Sequence, residues 1–337
     1  MTRIMVCGMG GTIAMTTTAG GGVAPALTTR ELTAAIPGLA ALGVDLGLVD
    51  VCNEPSSSLR LADVIALSRT VARLLAEGAD GIVVTQGTDS LEECAYLLDL
   101  LHDGPQPVVV TGAMRNPALA GPDGPANLLA AVTVAASPAA RGRGVLVAFA
   151  DEVHAAARVR KAHSVRVTAF ASAAGGPVGQ LVEGVVHFAA PPPGRFVVPR
   201  GERVPRVPVV VAALGEEAPE VPADAEGLVV AAFGAGHLPR WWVEPLAAAA
   251  SRIPVVLASR TLAGPVLSAT YAYPGSEKDL LARELVPAGL LNPWKARILL
   301  VATLVAGADR DQVAAAFAAA GGLGEPGRWP WPPARPL

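Results

Sequence analysis

Apolar residues gather in short runs, Ile4 to Cys7, Ile82 to Thr85, Val108 to Thr111 and Val145 to Phe149, and between the runs they recur every three or four positions. Runs of this length read as buried strands, and the three-to-four spacing reads as amphipathic helix. From Leu61 to Ala76, Val64, Leu67, Val71, Leu74 and Leu75 share one helical face, which belongs against a sheet. Strands and helices alternating in this way predict parallel βαβ units, and so an α/β fold with a larger N-terminal parallel-sheet domain. Another helix starts at Asp89 or Ser90, with Glu92 and Glu93 in its first turn. The helix dipole favours carboxylates there, so both glutamates read as structural.

From Pro191 to Pro208 prolines recur among charged residues, which resists regular structure and marks a linker. The expected organisation is an N-terminal α/β domain over 1–190, a linker over 191–208, a smaller C-terminal α/β domain over 209–325 and a Pro/Trp-rich tail over 326–337. Within the second domain, strands are expected at Val209 to Ala212, Leu228 to Ala232 and Val255 to Ala258. Helices are expected near Pro239 to Ser251, Pro293 to Ala306 and Asp309 to Ala320. The tail, with Trp329-Pro330-Trp331-Pro332-Pro333, cannot form a helix.

Composition narrows the partners. The 337 residues suffice for two domains. Charged residues are 16% of the chain, below the usual share of about 25%. A net charge of −3 and scattered arginines offer nucleic acid no basic surface. Cys7, Cys52 and Cys94 are far apart and odd in number, fitting neither a disulfide framework nor a metal site. No run approaches the roughly 18 apolar residues of a membrane span. The opening Met1-Thr2-Arg3 and its short apolar strand lack a signal peptide's pattern. A cytoplasmic location is the expectation, although an already processed chain would read the same way.

Two glycine turns carry the candidate chemistry. The first strand leads into Gly8-Met9-Gly10-Gly11-Thr12, and the second into Gly87-Thr88-Asp89. In an open parallel sheet, ligands settle at the carboxyl ends of strands where the winding reverses, so both turns suit one crevice. Ordinary turn chemistry would also select Gly, Thr and Asp here. A dinucleotide site would need a glycine at position 13, where Ile13 stands, and no phosphate-loop lysine follows. No cofactor is expected.

Gly10-Gly11-Thr12-Ile13-Ala14, Gly87-Thr88-Asp89, Gly112-Ala113-Met114-Arg115, Asp123-Gly124-Pro125 and Lys161, in that order, together resemble the bacterial-type L-asparaginases. Leu291-Asn292-Pro293-Trp294-Lys295-Ala296-Arg297 resembles the family's late helix more loosely. The resemblance implies a threonine amidohydrolase that acts on L-asparagine. Thr12 would be the nucleophile, and Thr88, Asp89 and Lys161 a relay that activates it or the attacking water; which threonine attacks first is left open. Unlike arginine, a lysine can lose its proton when buried, and the only lysines are Lys161, Lys278 and Lys295. By the same resemblance, Ser56 and Ser57 bind the substrate's α-carboxylate, Gln86 and Ala113 line the substrate pocket, and Asp89 pairs with the substrate ammonium. Paired subunits, as homodimer or homotetramer, are implied too.

Some positions depart from the family pattern. Gln86 stands where many members have histidine, and no tyrosine occurs between Met15 and Pro25, where the family's mobile loop carries one; Thr16, Thr17 and Thr18 are the substitutes available. His237, in Gly234-Ala235-Gly236-His237, either takes the place of an asparagine that reaches a neighbouring subunit's site in the family or is an ordinary surface-turn histidine. Glu277 is the candidate for the acidic residue sent across that interface. Two other readings remain: the same machinery acting on a cyclic or modified amide, and a catalytically silent amino-acid-binding protein.

Overall fold

The computed structural model describes the chain through residue 332, apart from residues 18, 19, 21, 22, 26, 35 and 191–193 and the side chains of 16, 17 and 23–25. Two compact units divide the described chain between Arg195 and Phe196. Residues 194–208 form neither helix nor strand.

The first unit contains β1 (Arg3–Gly8), β2 (Met15–Thr17), β3 (Val23–Pro25), α1 (Thr29–Ala34), β4 (Asp45–Asp50), α2 (Leu61–Ala76), β5 (Gly81–Thr85) and α3 (Leu91–Leu101). It continues with β6 (Val108–Thr111), α4 (Gly124–Ala136), β7 (Val145–Phe149), β8 (Glu152–Ala155), β9 (Val159–Lys161), β10 (Phe170–Ser172), β11 (Gly179–Val182) and β12 (Val185–Phe188). Eight of these strands form one sheet in the order β12-β11-β8-β7-β6-β5-β1-β4. From β4 to β7 the neighbours are parallel. The last three strands join antiparallel, so the expected parallel sheet is the core of a larger mixed one.

Physical reasons for the core are visible strand by strand. β5, β6 and β7 are buried at every position, as strands covered on both faces must be. Ile4, Val6, Val83, Val109, Leu146 and Ala148 pack with Leu128, Ala131, Val132 and Ala135 of α4. The carboxyl ends align, since Gly8 pairs with Asp50 and Thr85, and Thr85 with Thr111. Because β4 lies on one side of β1 and β5 on the other, the winding reverses beside β1, and loops leaving β1 and β5 flank one crevice.

A separate hairpin, β9 with β10, carries Lys161. His154 Nδ1 on β8 lies 3.0 Å from Ser172 Oγ on β10, which fastens the hairpin to the sheet. His154 is 1% exposed, and burial pushes its ring down to about 4. Glu152 Oε2 is 3.3 Å from His154 Nε2 but half exposed, too well solvated to hold a proton on the ring. The folded protein therefore binds this proton less readily than the unfolded chain, whose imidazole titrates near 6.5. Its contribution to stability is complete above that value and is lost as pH falls toward 4. Between pH 7.5 and 5 this residue alone should remove about 2 kcal/mol, and His154→Gln should flatten that part of the profile when urea midpoints are compared at the two pH values.

The second unit contains β13 (Val209–Val211), β14 (Leu228–Ala232), α5 (Val243–Ala250), β15 (Val255–Ser259), α6 (Glu277–Ala282), β16 (Val286–Pro287), α7 (Pro293–Val305) and α8 (Arg310–Ala320). Its four strands run parallel in chain order. Asn292 caps α7 by accepting from Lys295 N at 2.9 Å, and Pro293 occupies the first helical position, where its missing N–H costs nothing. In the proline-rich tail, Trp329 packs on Phe196 and Trp331. Among the described residues no helix is long and apolar enough to cross a membrane.

Candidate active site

Two glycines hold the site's first turn. Gly10 and Gly11 both have φ of 86°, a left-handed backbone that side chains disfavour. A Cβ at Gly11 would fall inside the van der Waals radius of Gly87 N, and one at Gly10 would meet the backbone at Glu54. The turn after β1 therefore lies backbone to backbone against the turn after β5. Met9 N donates to Thr85 O at 2.8 Å and Gln86 N to Thr111 O at 3.0 Å, tying three strand ends together. Thr12 opens a single 3₁₀ turn, Thr12–Ala14, and is half-buried, while Ile13 beyond it is buried.

Around the second turn, Lys161 Nζ donates to Thr88 Oγ1 at 2.8 Å and to Asp89 Oδ1 at 2.7 Å. Thr88 is buried; the Lys161 side chain is 17% exposed and that of Asp89 67%. One lysine nitrogen thus joins an enclosed hydroxyl to a carboxylate that faces solvent. Thr88, Asp89 and Lys161 come together across 73 positions of sequence.

Ser56 is buried, and its Oγ accepts from Asp89 N at 3.1 Å while its carbonyl accepts from Ser90 Oγ at 2.8 Å. The first contact uses an oxygen lone pair, so the Ser56 O–H is still a donor toward a ligand. Ser57 beside it is exposed. Gln86 has no exposed surface and donates to Gly87 O at 3.3 Å, behind the turn. Ala113 is also fully buried. Its loop is held by the Asp123 carboxylate, which accepts from Met114 N and Arg115 N, and by Asn127, which donates to Gly112 O at 3.0 Å. That network accounts for Asp123-Gly124-Pro125 as scaffold. Gly124 leaves no room for a side chain beside Ile13, so α4 begins directly against the Thr12 turn.

In the second unit, Glu277 is fully buried, and its Oε1 accepts from Thr270 N at 2.8 Å and Tyr271 N at 2.7 Å. Burial opposes its ionisation, but those backbone donors and nearby His237 prevail and hold the carboxyl below its ordinary range. His237 Nε2 is 3.3 Å from Glu277 Oε2, and the rings of Tyr271 and Tyr273 flank the imidazole at 4.7 and 5.6 Å. His237 and Glu277, far apart in sequence, are therefore one cluster.

Thr18 lies outside the described residues, as do the side chains of Thr16 and Thr17. The cysteines are free thiols. Burial pushes Cys7 up to about 12 and Cys94 up to about 11, so neither competes as a nucleophile at neutral pH. Among the described residues no cluster of three or more His, Cys, Asp or Glu could hold a metal ion.

Sequence reasoning missed the part played by Glu92, whose Oε2 accepts from Lys161 N at 2.7 Å. A signal was present: α3 is buried on nearly every side, and a carboxylate inside such a helix needs a partner.

Comparison with known proteins follows the same division. Residues 3–194 match the family described as asparaginase, N-terminal, and residues 214–317 match the glutaminase/asparaginase C-terminal domain. A probable L-asparaginase of Deinococcus radiodurans is 38% identical over 323 residues, covering 94% of this chain and 97% of that protein. L-asparaginase 2 of Escherichia coli is 35% identical over 251 residues, or 71% and 70% of the two chains. The crystal structure of a probable cytoplasmic L-asparaginase from Campylobacter jejuni superposes with a TM-score of 0.83 at 30% identity, covering 94% of this chain and 99% of that one.

Proposed function

The chain belongs to the asparaginase family of amidohydrolases, and from that premise we propose that it hydrolyses L-asparagine to L-aspartate and ammonia with Thr12 as the nucleophile. The observation that supports this most is the Lys161 bridge between Thr88 and Asp89, on a turn packed against the one bearing Thr12.

A threonine hydroxyl is a poor nucleophile until a base takes its proton. Thr12 Oγ1 gives its proton to the Thr88 and Lys161 relay as it attacks the side-chain amide carbon, and backbone N–H groups near Gly11 and Thr88 stabilise the oxyanion. The C–N bond breaks as nitrogen takes that proton from the relay and leaves as ammonia, and the aspartyl group remains as an ester on Thr12. Water, giving its proton to the Thr88 and Lys161 relay, then attacks the ester; the bond from the acyl carbon to Thr12 Oγ1 breaks, aspartate leaves, and the relay hands the proton to Oγ1, restoring the hydroxyl. Ser56 and Ser57 hold the substrate's α-carboxylate, with Gln86 and Ala113 shaping the pocket from behind. Asp89, on the solvent side of the relay, receives the substrate ammonium. His237, the partly exposed member of its pair with Glu277, reaches the site of a neighbouring subunit while buried Glu277 stands behind it, which makes the working form a homodimer or homotetramer. The solved relative described as cytoplasmic supports the same location here.

Ammonia release from L-asparagine, D-asparagine and L-glutamine tests the reading. Turnover of L-asparagine is expected. Turnover of a cyclic or modified amide alone would keep the machinery and change the substrate. Silence on every amide from a folded oligomer would favour an amino-acid-binding protein instead.

A further inference from the structure

We propose that Glu92 is a positioning residue for Lys161, fixing where the lysine amine stands between Thr88 and Asp89. This rests on the reading of Lys161 as part of the catalytic relay.

Among the described strands β9 pairs with β10 alone, and Lys161 faces Phe170 in that antiparallel register. One position further along, Ala162 N donates to Ala169 O at 2.7 Å. Antiparallel ladders alternate hydrogen-bonded with non-hydrogen-bonded pairs, so the N–H of Lys161 points away from β10, toward the side on which no described strand joins. There Glu92 Oε2 accepts it at 2.7 Å. Glu92 is 7% exposed and sits in the first turn of α3, immediately after the turn that carries Thr88 and Asp89. The start of one helix therefore grips the lysine at both ends. Thr88 Oγ1 and Asp89 Oδ1 take the amine, and Glu92 takes the backbone.

A carboxylate accepting a backbone N–H makes a charge-assisted bond, and partners that orient a functional group are worth roughly ten- to hundredfold in activity. Without Glu92 the backbone N–H of Lys161 loses its acceptor, and a shift of about 1 Å at a catalytic group costs on the order of a hundredfold. The lysine's own chemistry is untouched, so the loss should fall on kcat.

Steady-state kinetics on the intact oligomer, with L-asparagine, decide the matter. Glu92→Ala should lower kcat ten- to hundredfold, in line with the loss of an orienting partner, and leave KM within about twofold. Glu92→Gln, whose amide oxygen can accept the same N–H, should restore kcat to within about threefold of wild type. Wild-type kcat in Glu92→Ala would overturn the proposal. So would equal losses in both variants that follow a fall in Tm, which would leave Glu92 a purely structural role. Should the alanine variant not fold, Glu92→Asp replaces it, because shortening the reach by one methylene must lower kcat at unchanged KM, and an unchanged kcat overturns the proposal. A wild-type enzyme silent on all amides defeats the reading of the site and this inference together; an active wild type with an unaffected Glu92→Ala defeats the inference alone.

Discussion

Thr12→Ala should reduce the release of ammonia from L-asparagine by about ten-thousand-fold or more, the scale seen when a covalent nucleophile is removed. The change deletes a hydroxyl and a methyl group from a half-buried turn residue, while the contacts that fold the turn are made by backbone at Gly11, Gly87, Met9 and Thr85. Stability should therefore stay within about 1 kcal/mol of wild type. In the proposed reading, substrate binding draws on Ser56, Ser57 and Asp89, so the variant should still bind L-asparagine. Calorimetry that detects binding without turnover would separate loss of the nucleophile from collapse of the site. Residual turnover at a tenth of the wild-type rate would remove Thr12 from its assigned role.

Lys161→Met should cost about a thousandfold in kcat, in the middle of the range for general acid–base groups. Methionine keeps much of the side chain's length and apolar body but removes the amine that joins Thr88 to Asp89 at 2.8 and 2.7 Å. Asp89 is 67% exposed and is rehydrated when its partner is lost, so the fold should lose little. The Glu92 bond is to the Lys161 backbone and survives the substitution. The variant should therefore have a near-normal Tm and KM with a collapsed kcat. Lys161→Arg should not rescue it, because a guanidinium does not give up its proton in a protein. An arginine variant that works at the wild-type rate would show that the position needs positive charge alone.

Much of this was legible in the sequence because it is encoded locally. The fully buried runs of β5, β6 and β7 cannot be mistaken for amphipathic helix, and α2 occupies the 61–76 span that its apolar spacing predicts. Gly10 and Gly11 marked a turn that only glycine can make. Other parts had no local signal. β8, β11 and β12 are four-residue strands with exposed positions, too short and too mixed for periodicity to separate from loop. α6 spans Glu277–Ala282, and β16 is shorter still.

Thr12, Thr88, Asp89 and Lys161 are proposed from residue type and order, but the contacts that join Lys161 to Thr88 and Asp89 were not readable from the chain. The Glu92 contact illustrates why: its partner is a backbone N–H 69 positions away, a donor that nearly every residue carries. The pairing of His237 with Glu277 likewise depends on loops folding over 40 residues to bring a carboxylate within 3.3 Å of a ring nitrogen.

The central claim is covalent catalysis by Thr12, and rapid acid quenching during turnover, followed by mass mapping of the peptides, tests it most directly. The account predicts an aspartyl ester on the peptide containing Thr12, accumulating further in Lys161→Met if the relay also serves the water step. An adduct on the peptide containing Thr88, with Thr12 unmodified, would contradict it.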